Sequence, residues 1–371
     1  LARELDVDPI EFRRMTALEV GSTTATGQVM RESVGLLECI DRVTRDLRRD
    51  DFRWSWEDGH KRYAWGLAIG YKNTGLGGGA PDKATAEVEA WQDTEKGLVA
   101  EVRISSTEMG QGLPGVLASC AAEELGIATE NVNVLLGDTD VCPDGGPTTA
   151  SRQTFVSGNA ARHAARDAAQ LLADTPGKRV VARHEYWAPK TQPLGTGGDM
   201  HVAFSFAVQA ALCEIDMRTG GVEVRRIIAA HDVGRAINPL TLEGQIEGGI
   251  VMCLGYALTE HYIQEDGQPW TNVMARYKTP SITHAPSITS HIVEHEISTG
   301  PFGAKGLGEL PRIPTSAAST NAIYNATGVR VRSLPVDQDA LLQAIRSGAD
   351  EVEFGWGDRA PIPNIEFGGP S

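Results

Sequence analysis

Residues 300–309 read Gly-Pro-Phe-Gly-Ala-Lys-Gly-Leu-Gly-Glu, so four glycines and one lysine accompany a single carboxylate, Glu309. Glycine has no Cβ, which lets the backbone take positive φ and approach a bound group closely. A carboxylate held at the end of such a turn can accept a proton as a general base. The alternative is a surface glutamate that caps the helix after Pro311. A nucleotide-binding P-loop does not fit, because Lys305 is followed by glycine rather than Ser or Thr.

A second glycine-rich turn, residues 108–112, follows a predicted strand that ends near Ser106. Its central residue, Gln111, carries an amide that can both donate and accept hydrogen bonds. A flat heterocycle with ring nitrogens and carbonyls calls for such a group. Many strand ends carry glycines without any ligand, so this turn gains weight only beside the other motifs.

A third motif, Pro-Thr-Thr-Ala-Ser-Arg-Gln-Thr at residues 147–154, leads into an alanine-rich helix predicted at 160–172. Backbone N–H groups at the start of a helix attract anions. Nearby hydroxyls and Arg152 would strengthen a diphosphate site. The alternative is a Ser/Thr helix cap beside a solvated arginine.

A fourth motif combines the Asn-Pro turn of residues 232–239 with the glycine-rich residues 243–249. Gln245 on the following helix would face the bound group. The glycines at 244, 248 and 249 could instead serve only close helix packing.

Two further patterns resemble known sites but fail on physical grounds. His291, Glu294 and His295 match a zinc-peptidase spacing. The surrounding residues alternate as a strand, however, where positions four apart lie about 13 Å from each other, too far for one zinc ion with bonds of about 2 Å. The Gly-Leu-Gly at residues 75–77 resembles a dinucleotide loop, but no parallel β-α-β unit follows it.

Taken together and in this order, the four motifs resemble the molybdenum-binding large subunit of the xanthine dehydrogenase and aldehyde oxidase family. The resemblance implies that Glu309 is the base beside the metal and that the backbone of Ala150 borders the metal. The cofactor-binding residues that it implies are Gly110, Gln111, Gly112, Ala150, Ser151, Arg152, Gln153, Thr154, Gln245, Lys305, Gly306, Leu307 and Gly308. It covers residues 1 to about 344 and corresponds to the C-terminal half of that subunit.

The resemblance further implies a molybdenum hydroxylase that inserts water-derived oxygen into an N-heteroaromatic ring or an aldehyde. Its cofactor would be molybdopterin in the cytosine dinucleotide form, with [2Fe-2S] and FAD on partner subunits. The family's earlier half, with a Gly-Gly-x-Phe-Gly loop and an arginine-containing loop, is not found in this sequence. A second molybdopterin-binding chain that carries this N-terminal half is therefore expected. The alternatives are a non-catalytic accessory subunit that lacks the metal, and a nucleotide-dependent dehydrogenase.

The overall composition narrows the classes of partner. A net charge of −15 over 371 residues disfavours nucleic acid, since phosphate binding needs a basic face. No apolar run reaches the ~18 residues of a membrane span, and no secretion signal is visible. The five cysteines are scattered without a C-x-x-C pair, which argues against a disulfide framework, a structural zinc site or an iron–sulfur cluster here. A reducing cytoplasm fits best.

The elements that must position these motifs predict an α+β fold with two elongated, layered α/β subdomains of the aldehyde oxidase/xanthine dehydrogenase molybdopterin-binding type. We expect an N-terminal helical segment at 1–58, a molybdopterin-binding subdomain at 59–190, a second with the catalytic glutamate at 191–348, and a tail at 349–371 that is extended or partly disordered. Residues 1–5 resemble the end of a helix, which suggests a truncated protein or, preferably, a split-gene product. Predicted helices cover 8–18, 33–48, 116–125, 160–172, 242–258, 314–326 and 341–347. Predicted strands cover 63–73, 84–91, 98–105, 132–136, 202–216, 222–230 and 288–297.

Overall fold

The computed structural model describes residues 1–49 and 52–353. Its α-helices are α1 Pro9–Met15, α2 Leu36–Leu47, α3 Leu113–Leu125, α4 Gln153–Asp174, α5 Pro239–Leu258, α6 Met274–Tyr277, α7 Ile313–Thr327 and α8 Gln338–Ser347. Its strands are β1 Ser55–Asp58, β2 Lys61–Thr74, β3 Lys83–Asp93, β4 Gly97–Ile104, β5 Val132–Leu136, β6 Val180–Trp187, β7 Ala203–Asp216, β8 Val222–Asp232, β9 Gln264–Glu265, β10 Gln268–Pro269, β11 Ser287–Val293, β12 Arg330–Val331 and β13 Glu351–Val352. The expected α+β fold class is confirmed.

A four-stranded sheet in the order β5-β4-β3-β6 forms one layered unit. The even positions of β3 from Ala84 to Ala90 are small, buried and apolar, whereas Glu87 and Glu89 lie on the other face, as the two-residue period of a strand requires. Helices α3 and α4 cover the apolar face. The small side chains of the alanine-rich α4 let it lie close to the sheet, which fixes the position of its N-terminus.

A five-stranded sheet in the order β1-β2-β7-β8-β11 forms the second unit. Helix α2 packs on one face of this sheet, and α5 and α7 pack on the other. Because both faces are covered, β7 is buried over almost its whole length and reads as a nearly continuous apolar run.

The predicted boundary between the two subdomains is wrong for β2. Residues 61–74 pair with β7 along their full length, so β2 belongs to the second sheet although it precedes the first in sequence. The N-terminal segment is likewise no separate unit, because α2 packs on the second sheet. Antiparallel pairing between residues that lie 129 to 155 positions apart, from Thr74 with Ala203 to Lys61 with Asp216, leaves no local signal. The predicted tail lies largely outside the described residues; Glu351–Val352 within it pairs with β12.

Several element ends differ from the predicted ones for local reasons. Helix α2 begins three residues later than predicted, because Ser33 has a φ of 60° and Gly35 is the N-cap. Helix α4 begins at Gln153, seven residues before the predicted start, and this brings the third motif onto the helix. Residues 2–6 form turns rather than the end of a helix. Within residues 1–49 and 52–353, no helix combines the length and apolarity needed to cross a bilayer.

Candidate functional site

A cavity of about 540 Å³ lies where the loops of the two units meet. All four sequence motifs contribute to its wall. Every predicted site residue lines the cavity except Gly112 and Gly306, which lie directly behind lining residues. The volume falls within the range of about 300–1,000 Å³ that is typical of small-molecule and cofactor sites.

Glu309 lies on the wall of this cavity with its side chain 39% exposed. Its Oε2 accepts a hydrogen bond from Ser151 Oγ at 2.8 Å and lies 2.9 Å from Lys72 Nζ. Its backbone N–H donates to the same Ser151 Oγ at 3.1 Å. Partial burial raises the pKa of the Glu309 carboxyl, but Lys72, Ser151 and the charge of Arg312 outweigh it, so the pKa lies below its usual range. The carboxylate is therefore ionised and fixed from one side.

The loop that holds Ser151 crosses the 305–309 turn at very short range. A Cβ on Gly306 would lie 1.9 Å from the carbonyl oxygen of Ser151, which only glycine avoids. Ala150 and Ser151 both have a φ of 51°, a left-handed conformation that costs a non-glycine residue about 1–3 kcal/mol and is common at ligand sites. The N–H of Gly75 donates to the carbonyl of Ala150 at 3.1 Å. These contacts join the third motif and the glutamate turn into one wall.

The 108–112 turn is ordered by Glu108. Its carboxylate accepts hydrogen bonds from the N–H groups of Gly110, Gly112 and Leu113, at 2.6, 3.1 and 2.7 Å. The amide of Gln111 closes the same turn, with Oε1 accepting from Met109 N at 2.6 Å and Nε2 donating to the Thr107 carbonyl at 2.9 Å. The predicted two-way amide of Gln111 is thus engaged within its own loop.

Gln245 connects this turn to the opposite wall. It lies on α5, and its Nε2 donates to the Gly110 carbonyl at 3.3 Å. Residues 241, 245, 248, 249 and 252 of the helix line the cavity. The predicted orientation of Gln245 toward the site agrees with this placement.

The N-terminus of α4 supplies a positive end of a helix dipole at the cavity wall. The helix has 22 residues, and its first turn has no side-chain cap hydrogen bond. Thr154 and the backbone of Gln153 line the cavity there. The Gln153 side chain is buried and bonds to Ser106, Ser157, Thr148 and the Pro147 carbonyl. At the predicted anion site the start of α4 therefore offers its backbone N–H groups, because the Gln153 side chain is engaged elsewhere.

Two predicted cofactor-binding cations are instead structural. The Arg152 side chain has no exposed surface, and its guanidinium donates to Asp82 at 2.6 Å and to the carbonyls of Gly145, Pro147 and Lys83. Burying a charge requires such full pairing, which leaves Arg152 neither solvated nor directed at a ligand. The prediction that the charge of Arg152 binds a diphosphate is therefore wrong, because its guanidinium is paired within the protein.

Lys305 follows the same pattern. Its Nζ lies 2.6 Å from Asp232 Oδ2 and donates to the Ser33 carbonyl at 3.1 Å, with both charged side chains fully buried. Burial lowers the pKa of Lys305, and Asp232 opposes that shift. The ammonium anchors the base of the glutamate turn to β8, so its predicted contact with a cofactor is not made by the charged group.

Sequence reasoning missed Lys72 and Asp82 as parts of the site, and it included Asp232 in the fourth motif without giving that residue a role. The available signal was a charged residue near the end of the largely apolar β2, where Lys72 occupies a half-buried position. The two rejected patterns also have structural roles. His291 and His295 bond to different carboxylates on α2, Asp46 and Glu38. The 75–77 loop joins strands β2 and β3, which belong to separate sheets.

The site combines a glycine-rich cradle, helix-terminal amides and one ionised carboxylate on a single cavity wall. A cavity of this size with these features is suited to a cofactor that carries an anionic group. The model of the molybdopterin cofactor-binding domain matches residues 38–180 and 168–286. The chain therefore belongs to the family of molybdopterin cofactor-binding domains, and the resemblance expected from the motifs is confirmed.

Known relatives agree with this assignment. The chain is 33% identical to the 6-hydroxypseudooxynicotine dehydrogenase complex subunit gamma of Paenarthrobacter nicotinovorans, over 65% of this chain and 35% of the relative. It is 30% identical to an aldehyde oxidoreductase of Megalodesulfovibrio gigas, over 94% of this chain and 39% of the relative. The crystal structure of the aldehyde oxidoreductase from Desulfovibrio desulfuricans superposes with a TM-score of 0.79 at 29% identity, over 92% of this chain and 39% of that one. The chain thus spans well under half the length of these proteins.

Proposed function

We propose that this chain is the part of a molybdenum hydroxylase that binds molybdopterin and carries the general base. The enzyme would hydroxylate an N-heteroaromatic or aldehyde substrate with oxygen derived from water. The observation that carries this proposal is the placement of the Glu309 carboxylate on the wall of the cofactor-sized cavity. Relatives that are named oxidoreductases and dehydrogenase subunits support it.

When bound, the molybdenum cofactor supplies the redox centre that accepts two electrons from the substrate carbon. The chain's own residues bind, orient and move a proton. The N–H groups at the start of α4 would hold the diphosphate, and Gln245 and the 108–112 turn would border the pterin. Ala150 lines the cavity beside Ser151 and would border the metal. Glu309 accepts a proton at a carboxylate oxygen during attack on the substrate.

The dinucleotide form and the partners follow from the same proposal. We infer the cytosine dinucleotide form, for which the free amides of α4 offer the phosphate contacts. The [2Fe-2S] and FAD groups would lie on separate subunits, and a second molybdopterin-binding chain would complete the pocket. Two relatives are named as subunits of larger enzymes, which supports a complex. The five cysteines are unpaired and buried, in keeping with a reducing cytoplasm.

The test is Glu309→Gln in the assembled complex, with molybdenum content and turnover both measured. Loss of the base should lower turnover by about 10²–10⁴-fold while molybdenum content stays unchanged. Glu223→Gln is the matched control, because Glu223 is 59% exposed on β8 and pairs with Arg225 on the surface. Full turnover in a metal-replete Glu309→Gln enzyme would overturn the base assignment. A wild-type complex without molybdenum would favour the accessory-subunit alternative.

A further inference from the structure

Lys72 lies near the end of β2, and its ammonium is held in place from three directions. Its side chain is only 15% exposed. The Nζ atom lies 2.9 Å from Glu309 Oε2, 2.9 Å from the Asn73 carbonyl and 3.4 Å from Asn73 Oδ1. An ammonium has three N–H donors, and these three acceptors match that number. Two of these acceptors belong to Asn73, the next residue of β2, so the strand itself helps to set the position of Nζ.

Burying most of a lysine side chain is costly unless its charge is paired. Because the Lys72 side chain is mostly buried, its charge needs a compensating contact that offsets the loss of hydration. That contact is the carboxylate of Glu309, which lies 237 residues later in the sequence. A charge-assisted hydrogen bond to a partly buried carboxylate is stronger than a neutral one. The pair therefore fixes the carboxylate against a rigid strand.

The two donors to Glu309 converge on the same oxygen. Both Lys72 Nζ and Ser151 Oγ bind Oε2, at 2.9 and 2.8 Å. Within residues 1–49 and 52–353, no side chain or backbone group donates a hydrogen bond to Oε1. Because both contacts are made to Oε2, the second oxygen, Oε1, is the one available to accept a proton.

We propose that Lys72 is a positioning residue that, together with Ser151, holds Oε2 of Glu309 and so presents Oε1 as the proton-accepting oxygen in the cavity. This inference rests on the proposed role of Glu309 as the base. It assigns Lys72 no contact with substrate or metal. The O–H bond of the water-derived nucleophile breaks, its electron pair stays on that oxygen, and the proton forms a new O–H bond at Oε1 while the contacts at Oε2 stay in place.

The charged and titratable groups around the pair set the expected pH dependence. Lys72 from β2 and Arg312 from the turn after Glu309 both favour the ionised carboxylate. His201, which precedes β7, lies close enough to Lys72 that burial first and the ammonium second lower its pKa. A neutral His201 adds no opposing charge. Removal of Lys72 takes away a hydrogen bond and a positive charge, so the pKa of Glu309 should rise.

The experiment compares Lys72→Met and Lys72→Arg in the assembled complex. Lys72→Met should keep its molybdenum but lose kcat by roughly tenfold or more, the scale expected for losing one hydrogen bond to a charged group. KM should change little, and the acidic limb of the kcat profile should move to higher pH. Lys72→Arg keeps a cation at this position and should recover part of both properties. The matched control is Lys83→Met, since Lys83 is 40% exposed and paired with Glu185 on the surface.

A second measurement does not depend on turnover. Isotope-edited infrared spectra of the metal-free complex, taken as the difference from Glu309→Gln, report the pH at which Glu309 protonates. Lys72→Met should raise that midpoint relative to wild type, whether or not the variant retains molybdenum. An unchanged midpoint together with wild-type kcat would refute the role of Lys72. That result with an inactive Glu309→Gln enzyme refutes only this inference, whereas a fully active Glu309→Gln enzyme refutes the proposed function.

Discussion

At the scale of single residues, two charged side chains beside the cavity are fully buried and are paired with each other. Lys305 and Asp232 form an ion pair, and neither side chain is exposed to solvent. Asp232 also accepts hydrogen bonds from the N–H groups of Gly35, Gly234 and His295. One carboxylate thus ties the glutamate turn, the start of α2 and the end of β11 together. Its function is to hold Glu309 at a fixed place.

Lys305→Met should therefore lower the free energy of unfolding, because its main role is structural. Removing one member of a buried ion pair leaves an uncompensated charge, which typically costs about 3–5 kcal/mol. Chemical denaturation should show a lower free energy of unfolding by that amount. The exposed pair of Lys83 and Glu185 provides the comparison, because Lys83→Met should cost less than ~1 kcal/mol. Equal stability of the two variants would contradict the anchoring role.

Sequence reasoning selected residues that line one cavity, but it misjudged the direction of two charges. Arg152 and Lys305 stand beside glycines and hydroxyls, as cofactor-binding cations do. Their partners, Asp82 and Asp232, lie 70 and 73 residues away. Motif spacing reports which residues share a loop, whereas burial and pairing of a charge depend on contacts between distant segments. Glu309 and Gln245 line the cavity, to which their backbone positions bring them, and their roles there stay predictions.

At the scale of elements, the cavity depends on two loops that cross with no space between their backbones. The loop before α4 and the turn before α7 touch at Ser151 and Gly306. The Gly306 N–H donates to Thr74 Oγ1 at 3.0 Å, and Ser205 Oγ donates to the Gly306 carbonyl at 2.8 Å. These bonds leave the crossing little freedom to widen. The start of α4 and the second sheet are therefore held in a fixed relative position at the site.

Comparing Gly306→Ala with Gly308→Ala distinguishes the effect of the close contact between the two loops from the general effect of adding a methyl group to this turn. An added Cβ at Gly306 would collide with the Ser151 carbonyl at 1.9 Å, whereas at Gly308 the nearest atom, Ser151 Oγ, is 3.5 Å away. We expect Gly306→Ala to lose most of its bound molybdenum and Gly308→Ala to retain it. Metal analysis of the purified complexes gives the comparison. Comparable metal loss in both variants would show that the crossing is not the determinant.

The elements themselves were largely predictable, and their pairing was not. Alternating apolar residues marked β3 and β4, and the alanine run marked α4. The assignment of β2 to the second sheet depends on its antiparallel register with β7, in which Tyr71 lies opposite Phe206. A strand's own pattern reports which face is buried, but it does not identify its neighbour.

At the scale of the whole molecule, the cavity is formed between the two layered units and has apolar groups at its edge. Met109 and Met252 line it and are 67% and 53% exposed. Cofactor sites usually bury 70% or more of the bound surface. Relatives are more than twice as long as this chain. Both observations support our proposal that a second molybdopterin-binding chain covers this side.

The corresponding prediction concerns molybdenum retention with and without that second chain. The chain produced alone, in a host that makes the cofactor, should hold only a small fraction of one molybdenum per chain, because the cofactor stays accessible to water. Production together with the second chain should raise the content toward one per chain and reduce the exposure of Met109 and Met252 to oxidation. Co-production with an unrelated acidic protein is the control. Stoichiometric, slowly released molybdenum in the lone chain would show that its own walls suffice, and the need for a second cofactor-binding chain would then be rejected.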